Sequence, residues 1–589
     1  MCARIRISIR MATPPTIVRS SSAATRTRRR RATMSTSATR GSCRFTGRSG
    51  PKCSPSSRTC STRSRQRRLI ASWPQTPRAR RWCRCRTAAM ASRPPAATSH
   101  ASSSSDSKCI SNDESRLALM ADSVASRRFD RTIVEGSLAH AVWRLAWPSM
   151  LQHVIGGLQG LVDHVMIGHF VGYTGNAAVG VSWQIWLVVI VFVSSLISGM
   201  AVLVARFAGA GDTATVDRVV YQAFLTSVVL AVGVLAPIGY VASPWLLAFV
   251  NATPEVQREA LPYLRIMLGS SVGMLMFFMM GGALRPAGDA RTPLRLGVVL
   301  TVLNIVLNVI LIGGVGPIPP MGTTGAALGT VLASSIVGAV CIGLLFSGRL
   351  PVRFTWQMRW RPDWEIIRAL FRFGLPTGFQ GIAMNVGGVL LLHYIGSLSQ
   401  SAEAQAAYTI GYGQLFVFIT WTSMGLMTAT ATVVGHNLGA GRPERAMAAA
   451  HVAARLGLGV ALLVGSAFVA VPHVLLGLFG MQGAAVISLG VQLLRFLAIS
   501  GPFVTVALVY TGGLQGSGDT RSPFYISVVS QVFIPLGLCA TLGAVKGLEP
   551  VDIWTAIVLG HITRSLLSVV RFRQGKWRHI AVDISPATS

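Results

Sequence analysis

The sequence predicts an all-α polytopic membrane protein, with twelve transmembrane helices in two parallel six-helix repeats around a central cavity. Three observations predict it. Hydrophobic residues make up 51% and charged residues only 13%, with a mean hydropathy of +0.52, too little charge to clothe soluble domains totalling 589 residues. After Met120, apolar runs long enough to cross a bilayer recur between short loops rich in Gly, Pro or Arg. The chain also repeats itself at an offset of about 230 residues.

The first fifth stands apart. Residues 1–119 hold 26 Lys and Arg, 24 of them Arg, against three Asp and Glu, so +23 of the net +34 comes from this stretch. It also holds seven of the nine cysteines: Cys2, Cys43, Cys53, Cys60, Cys83, Cys85 and Cys109. No hydrophobic periodicity runs through it. Three readings compete: a basic tail that binds nucleic acid or anionic lipid, an organellar transit peptide, or translation from a start placed too far upstream. The third is favoured, with residues 1–130 a basic disordered leader and the true start near Met120. Cys83 and Cys85 lack a second pair or a His partner for metal. Cys341 and Cys539 lie in apolar runs and read as inert packing residues.

Twelve spans follow, at roughly 145–169, 178–204, 219–241, 260–284, 294–313, 323–346, 370–396, 405–433, 448–471, 487–513, 522–544 and 551–570. Pro237, Pro244 and Pro262 predict kinks in the third and fourth. Alternate loops carry the arginines, among them Arg206 and Arg218, Arg285 to Arg295, Arg349 to Arg368, and Arg442 and Arg445. Residues 171–177 and 313–322, on the opposite side, carry no charge. Both termini are therefore expected in the cytoplasm, and the chain in the plasma (inner) membrane.

The repeat divides the chain into two bundles, 138–346 and 370–575, with a cytoplasmic linker at 347–369 and a tail at 576–589. WRLAWPSMLQ (143–152) matches FRFGLPTGFQ (371–380), and AGAGD (208–212) matches LGAGR (438–442). LRPAGDARTP (284–293) matches LQGSGDTRSP (514–523). Six spans per half is an even number, so both halves enter the membrane in the same sense, related by an axis along its normal. Two such bundles enclose a cavity, the architecture of an alternating-access transporter. Pro148 and Pro376 fall at matching places early in each half, where a missing backbone bond allows bending. The Gly-Asp loops read as tight turns, with Pro293 and Pro523 starting the next helix and Arg291 and Arg521 pairing with the neighbouring Asp.

One carboxylate lies deep in the first span: Asp163. An acid at that depth costs roughly 2.5–3.5 kcal/mol on insertion scales, so it marks an ion or proton pathway unless it sits at the interface. His153, His164 and His169 share its helix; His164 is a candidate to assist proton transfer but, adjacent in sequence, points about 100° away from Asp163. Gln152, Gln159, Gln380, Asn385, Tyr408, Tyr412 and Gln414 are candidate cavity-lining polar groups. Met274, Met276, Met279, Met280, Met424 and Met427 offer an adaptable apolar wall, or plain packing.

Twelve spans, a parallel six-plus-six repeat and paired G-D-x-R-[TS]-P loops resemble the multidrug and toxic compound extrusion (MATE) transporters over residues 138–575. The resemblance implies a cation-coupled antiporter, driven by H⁺ or Na⁺, that expels amphipathic and often cationic compounds, and not an enzyme. It also implies a coupling set of Asp163, Asn304, Asn308 and Thr330. By their residue types, one acid, two amides at i, i+4 and a hydroxyl suit Na⁺ or a carboxyl that takes and releases a proton. The competing reading of the amides is interhelical glue, worth about 0.6 kcal/mol each. Residues 379–388 and 502–510 lack the acids that some members carry in the second bundle. That pattern resembles the DinF-type branch.

No cofactor beyond H⁺ or Na⁺ is expected, no metal beyond Na⁺ at Asp163, and no G-x-x-x-x-G-K-[ST] loop for ATP. The expected partners are the lipid bilayer and a small amphipathic substrate, without nucleic acid, and the chain is expected to be a monomer. Two rivals remain. A lipid-linked precursor flippase calls for Arg or Lys within the membrane, of which none is expected here. A membrane-embedded prenyl transferase calls for clustered Asp to hold Mg²⁺ and diphosphate, and a single intramembrane acid does not supply it.

Overall fold

A computed structural model describes residues 129–582 and 584 apart from 251, 252, 359 and 482, with all side chains there except those of 187–190, 192 and 193. The leader up to residue 128, with its seven cysteines, and the last residues of the tail lie outside the described residues.

Twelve helical rods follow in order. The first half contains α1 (Leu138–Phe170), α2 (Tyr173–Ala210), α3 (Thr213–Phe249), α4 (the bent pair Pro254–Gly269 and Val272–Leu284), α5 (Arg291–Gly313) and α6 (Gly322–Phe346). The second contains α7 (Trp364–Gly396), α8 (Ser401–Gly439), α9 (Pro443–Ala470), α10 (Ala484–Ser517), α11 (Arg521–Val545) and α12 (Pro550–Arg573). Among the described residues, nine rods pass as membrane spans on length and composition, and the bent α4 makes a tenth. α1 and α2, with 33 and 38 residues, complete the set. α1 is less apolar because Gln152, His153, Gln159, Asp163 and His164 interrupt its middle.

The packing is inside-out relative to a soluble bundle. On α5, Val298, Val299, Val302, Val306 and Val309 are exposed, while Asn304 and Asn308 are fully buried. Lipid is as apolar as valine, so only the amides gain by facing inward. The second half fills its interior with Leu391, Ile395, Leu493, Leu494, Leu497 and Trp554.

The halves meet along two helix pairs, α1 with α8 and α2 with α7, which exchange under the two-fold relation that the repeat predicts. At the Arg-rich end α2 also meets α8 through a reciprocal contact. A Cβ on Gly209 would fall 2.1 Å from the His436 carbonyl oxygen, and one on Gly439 would fall 2.0 Å from that of Arg206. Only glycine permits such backbone approach. His436 Nε2 meets the Pro286 carbonyl at 2.6 Å, and Arg442 donates to the Val134 carbonyl at 3.0 Å, so this end is tied shut between halves.

The prolines bend the chain less directly than expected. The 52° break in α4 falls between Gly269 and Val272, not at Pro262, which stays inside a continuous helix. Gly269 followed by Ser270 and Ser271 is the weaker point. Single π-helical turns at Ala231–Leu235 and Val529–Phe533 directly precede Pro237 and Pro535 and absorb the missing backbone donor.

The Gly-Asp loops are tight turns. Gly288 and Gly518 sit at φ 97° and 96°, where a side chain is strained. Asp289 accepts from the backbone N–H groups of Arg291 and Thr292. Asp519 accepts from Ser522 and pairs with Arg571 at 2.7 Å, not with the expected Arg521. The linker between halves is pinned to α3: Arg353 N–H donates to Asp217 at 2.9 Å, Gln222 bonds both Arg361 and Asp363, and Arg218 pairs with Asp363.

Candidate functional site: a polar cluster in the first half

The helices α1, α5 and α6 converge on Asp163. Asn308 Nδ2 donates to its Oδ1 at 2.8 Å. One helical turn earlier on α5, Asn304 Nδ2 donates to Thr330 Oγ1 at 3.1 Å. Asn304 Oδ1 accepts from Gln159 Nε2 at 3.1 Å, and Gln159 Oε1 accepts from Thr301 at 2.8 Å. A continuous polar chain thus runs from Thr301 through Gln159, Asn304 and Asn308 to the carboxylate. Thr330 Oγ1 donates back to the Ala326 carbonyl, which satisfies its hydroxyl within α6.

Two details distinguish the cluster from a fully satisfied polar network. Among the described residues Asn308 Oδ1 is buried without a hydrogen-bond partner, a state that costs about 1–3 kcal/mol. Asp163 itself is partly exposed and lines a cavity of about 580 Å³. The cavity's apolar wall is built from Met267, Met274, Phe277 and Phe278, with Trp421 of α8 closing it from the second half.

The structure brings Asp163, Asn304, Asn308 and Thr330 together. Gln152 and Gln159 line the cavity. The other cavity candidates lie elsewhere: Gln380 is buried against Ser527 at 2.8 Å, and Asn385 and Gln414 are exposed. Tyr408 and Tyr412 stack on one another and on Trp554 and His561 in the second half. Of the methionines, Met274 lines the cavity, Met276, Met279 and Met280 are core, and Met424 packs against the core of the second half. His164 lines the cavity but its Nδ1 meets Asn176 at 3.2 Å, and His169 is exposed. Pro148 and Pro376 sit inside α1 and α7.

Sequence reasoning missed Thr301, Gly329 and two cations. A Cβ on Gly329 would fall 2.1 Å from Asn308 Oδ1, so the amide occupies the space of the absent side chain. The expectation of no intramembrane Arg fails. Arg564 is 4% exposed inside α12, and Arg285 lines the cavity. Arg564 lies within the predicted span 551–570, where one cation barely lowers the hydropathy of its window, and Arg285 falls one residue beyond a predicted span end.

The second half does not repeat the cluster. With an offset of 228 residues at α1, Asp163 corresponds to Leu391; beyond the extra residue of the π-helical turn at Val529–Phe533 the offset on α11 is 231, so Asn304 corresponds to Pro535 and Asn308 to Cys539.

The MatE family profile matches residues 148–310 and 376–541, more than half of the chain and one match in each half. The chain is similar to a probable multidrug resistance protein NorM of Thermotoga maritima, 27% identical over 447 residues that cover 74% of this chain and 93% of that one. It is also similar to the multidrug resistance protein MdtK of Pectobacterium atrosepticum, 26% identical over 73% of this chain and 94% of that one. Among solved structures, an outward-facing multidrug resistance MATE family transporter matches with a TM-score of 0.70 at 22% identity, over 75% of this chain and 97% of that one. A transporter of the MOP superfamily from Pyrococcus furiosus matches with a TM-score of 0.69 at 23% identity, over 76% and 97%. With both repeats matched and the same twelve-helix fold, the chain belongs to the MatE family of membrane transporters.

Proposed function

We propose that the chain is an antiporter that exports amphipathic, often cationic compounds by alternating access, driven by H⁺ or Na⁺ at Asp163. The observation that carries this reading is the Asp163–Asn308 pair at 2.8 Å, in which Asn308 Oδ1 has no hydrogen-bond partner among the described residues. An ionised carboxylate accepts from the amide nitrogen. A protonated carboxyl becomes a donor, and a half-turn of the Asn308 amide offers it an oxygen. A sodium ion would instead use the carboxylate and amide oxygens together. In either case the ion neutralises the cavity wall against which a cationic substrate would bind, so ion and substrate exclude one another. That exclusion is the basis of exchange.

Leu391, Pro535 and Cys539 at the corresponding positions of the second half favour coupling from one bundle, the DinF-type pattern. The arginine-rich loops favour a cytoplasmic placement of both termini and of the closed end, in a plasma membrane. The flippase alternative calls for several cations around a diphosphate, and among the described residues Arg285 is the one Arg or Lys lining the cavity.

The test is export of a fluorescent cation from proteoliposomes under separately imposed pH and Na⁺ gradients. Native protein is expected to follow one gradient, and Asp163→Asn to follow neither. Export that continues unchanged in Asp163→Asn would place the coupling site elsewhere.

A further inference from the structure

The inner end of the cavity carries the opposite charge. Arg285, just beyond the end of α4, lines it and donates from Nη2 to Gln152 Oε1 at 2.7 Å. Gly281, one turn earlier, makes room: a Cβ there would fall 3.1 Å from Arg285 Nη2. The guanidinium has found only this neutral amide among the described residues, and its buried Nε has no partner. His153, beside Gln152, also lines the cavity, and its Nε2 is buried without a partner. A guanidinium remains charged in any medium the protein meets, and leaving it unpaired away from water is costly. At this end of the cavity one neutral amide oxygen is the acceptor for the guanidinium, and two buried nitrogens, Arg285 Nε and His153 Nε2, have no partner among the described residues.

We propose that Arg285, with His153 and Gln152 beside it, is the residue that binds the anionic group, a carboxylate or sulfonate, of those exported compounds that carry one. This inference rests on the export reading above. The fork of the guanidinium matches a carboxylate in two parallel bonds. Gln152 and Asp163 are eleven residues apart on α1, which puts the two charges roughly 16 Å from one another along the helix. An anionic group at Arg285 therefore leaves Asp163 to its ion, while Met274, Phe277 and Phe278 provide apolar surface for the body of the molecule. The second half supplies an internal comparison. Gln515 corresponds to Arg285, and Gln380, corresponding to Gln152, bonds Ser527 instead. The fold thus accommodates glutamine at this position.

The experiment measures equilibrium binding, by fluorescence polarisation, of two dyes to the purified full chain. One is a rhodamine with a free carboxylate and the other is its methyl ester, so they differ in the anionic group alone. Native protein is expected to bind the carboxylate dye more tightly. Arg285→Gln should cut the carboxylate-to-ester affinity ratio by about tenfold, the scale of one charge-assisted hydrogen bond, and Arg285→Lys should retain part of it. A ratio that is the same in native protein and Arg285→Gln, or a native preference for the ester, would overturn the proposal. Export of the ester dye, native against Asp163→Asn, reads the antiport mechanism separately. Ester export with no carboxylate preference would sink only the present inference, and a preference lost in Arg285→Gln would uphold it even if neither dye were exported.

Discussion

Asn308 is held next to Asp163 by a residue with no side chain. The amide oxygen lies where the Cβ of residue 329 would be, at 2.1 Å, so Gly329→Ala must push α5 from α6 or turn the amide away. The expected cost is about 1–3 kcal/mol, as for other overpacked cores, read as a lower thermal midpoint. Gradient-driven export should be lost with it; an unchanged midpoint would mean that the two helices have slack at this point. Asp163 was legible from its depth, while Asn304 and Asn308 were implied by the family resemblance, with which their i, i+4 spacing agrees. Gly329 was not, because a missing side chain leaves no chemical signal in a span already rich in Gly and Ala. Arg285 was not either, because its sequence position beside a loop says nothing of a guanidinium folded back into the bundle.

The paired loops look alike in sequence but are held differently. Asp289 is satisfied by backbone donors of its own turn, whereas Asp519 also carries Arg571 from α12. Asp519→Asn should therefore destabilise the protein by about 1.5–3 kcal/mol, the range for hydrogen bonds to charged groups. Asp289→Asn should cost less. Comparable losses in the two variants, measured by thermal unfolding, would contradict this ranking. The turn itself was readable from Gly-Asp followed by Pro, since the glycine supplies the positive φ and the Asp caps the next helix. Its long-range partner was not, because Arg571 lies 52 residues further along and only the tertiary fold brings α12 beside the loop. The break in α4 escaped the sequence for a related reason. Proline is the stronger local signal, but the Gly-Ser-Ser run gave way first.

The two halves share one fold and differ in what fills them: a polar cluster and cavity in the first, aliphatic and aromatic packing in the second. The repeat made a two-fold relation between the halves foreseeable, while the pairing of α1 with α8 and α2 with α7 and the glycine contacts that close the seam emerge only in three dimensions. Gly439→Leu would drive a side chain into the Arg206 carbonyl and should favour the state open at the Arg-rich end. An introduced Thr428→Cys, which lines a small cavity on that seam, should then react with a thiol reagent several-fold faster than in the native background; an unchanged rate would mean that this contact does not hold the seam closed. The exchange mechanism itself is tested most directly by linkage. The affinity for a fluorescent cation would be measured across pH and, separately, across Na⁺ concentration, in native protein and in Asp163→Asn. If ion and substrate exclude one another at Asp163, native affinity falls as one of the two ions rises, by up to about tenfold for each tenfold of ion while the site is being filled, and the variant responds to neither. A native affinity indifferent to both ions, or a variant that responds as the native protein does, would contradict coupling at Asp163.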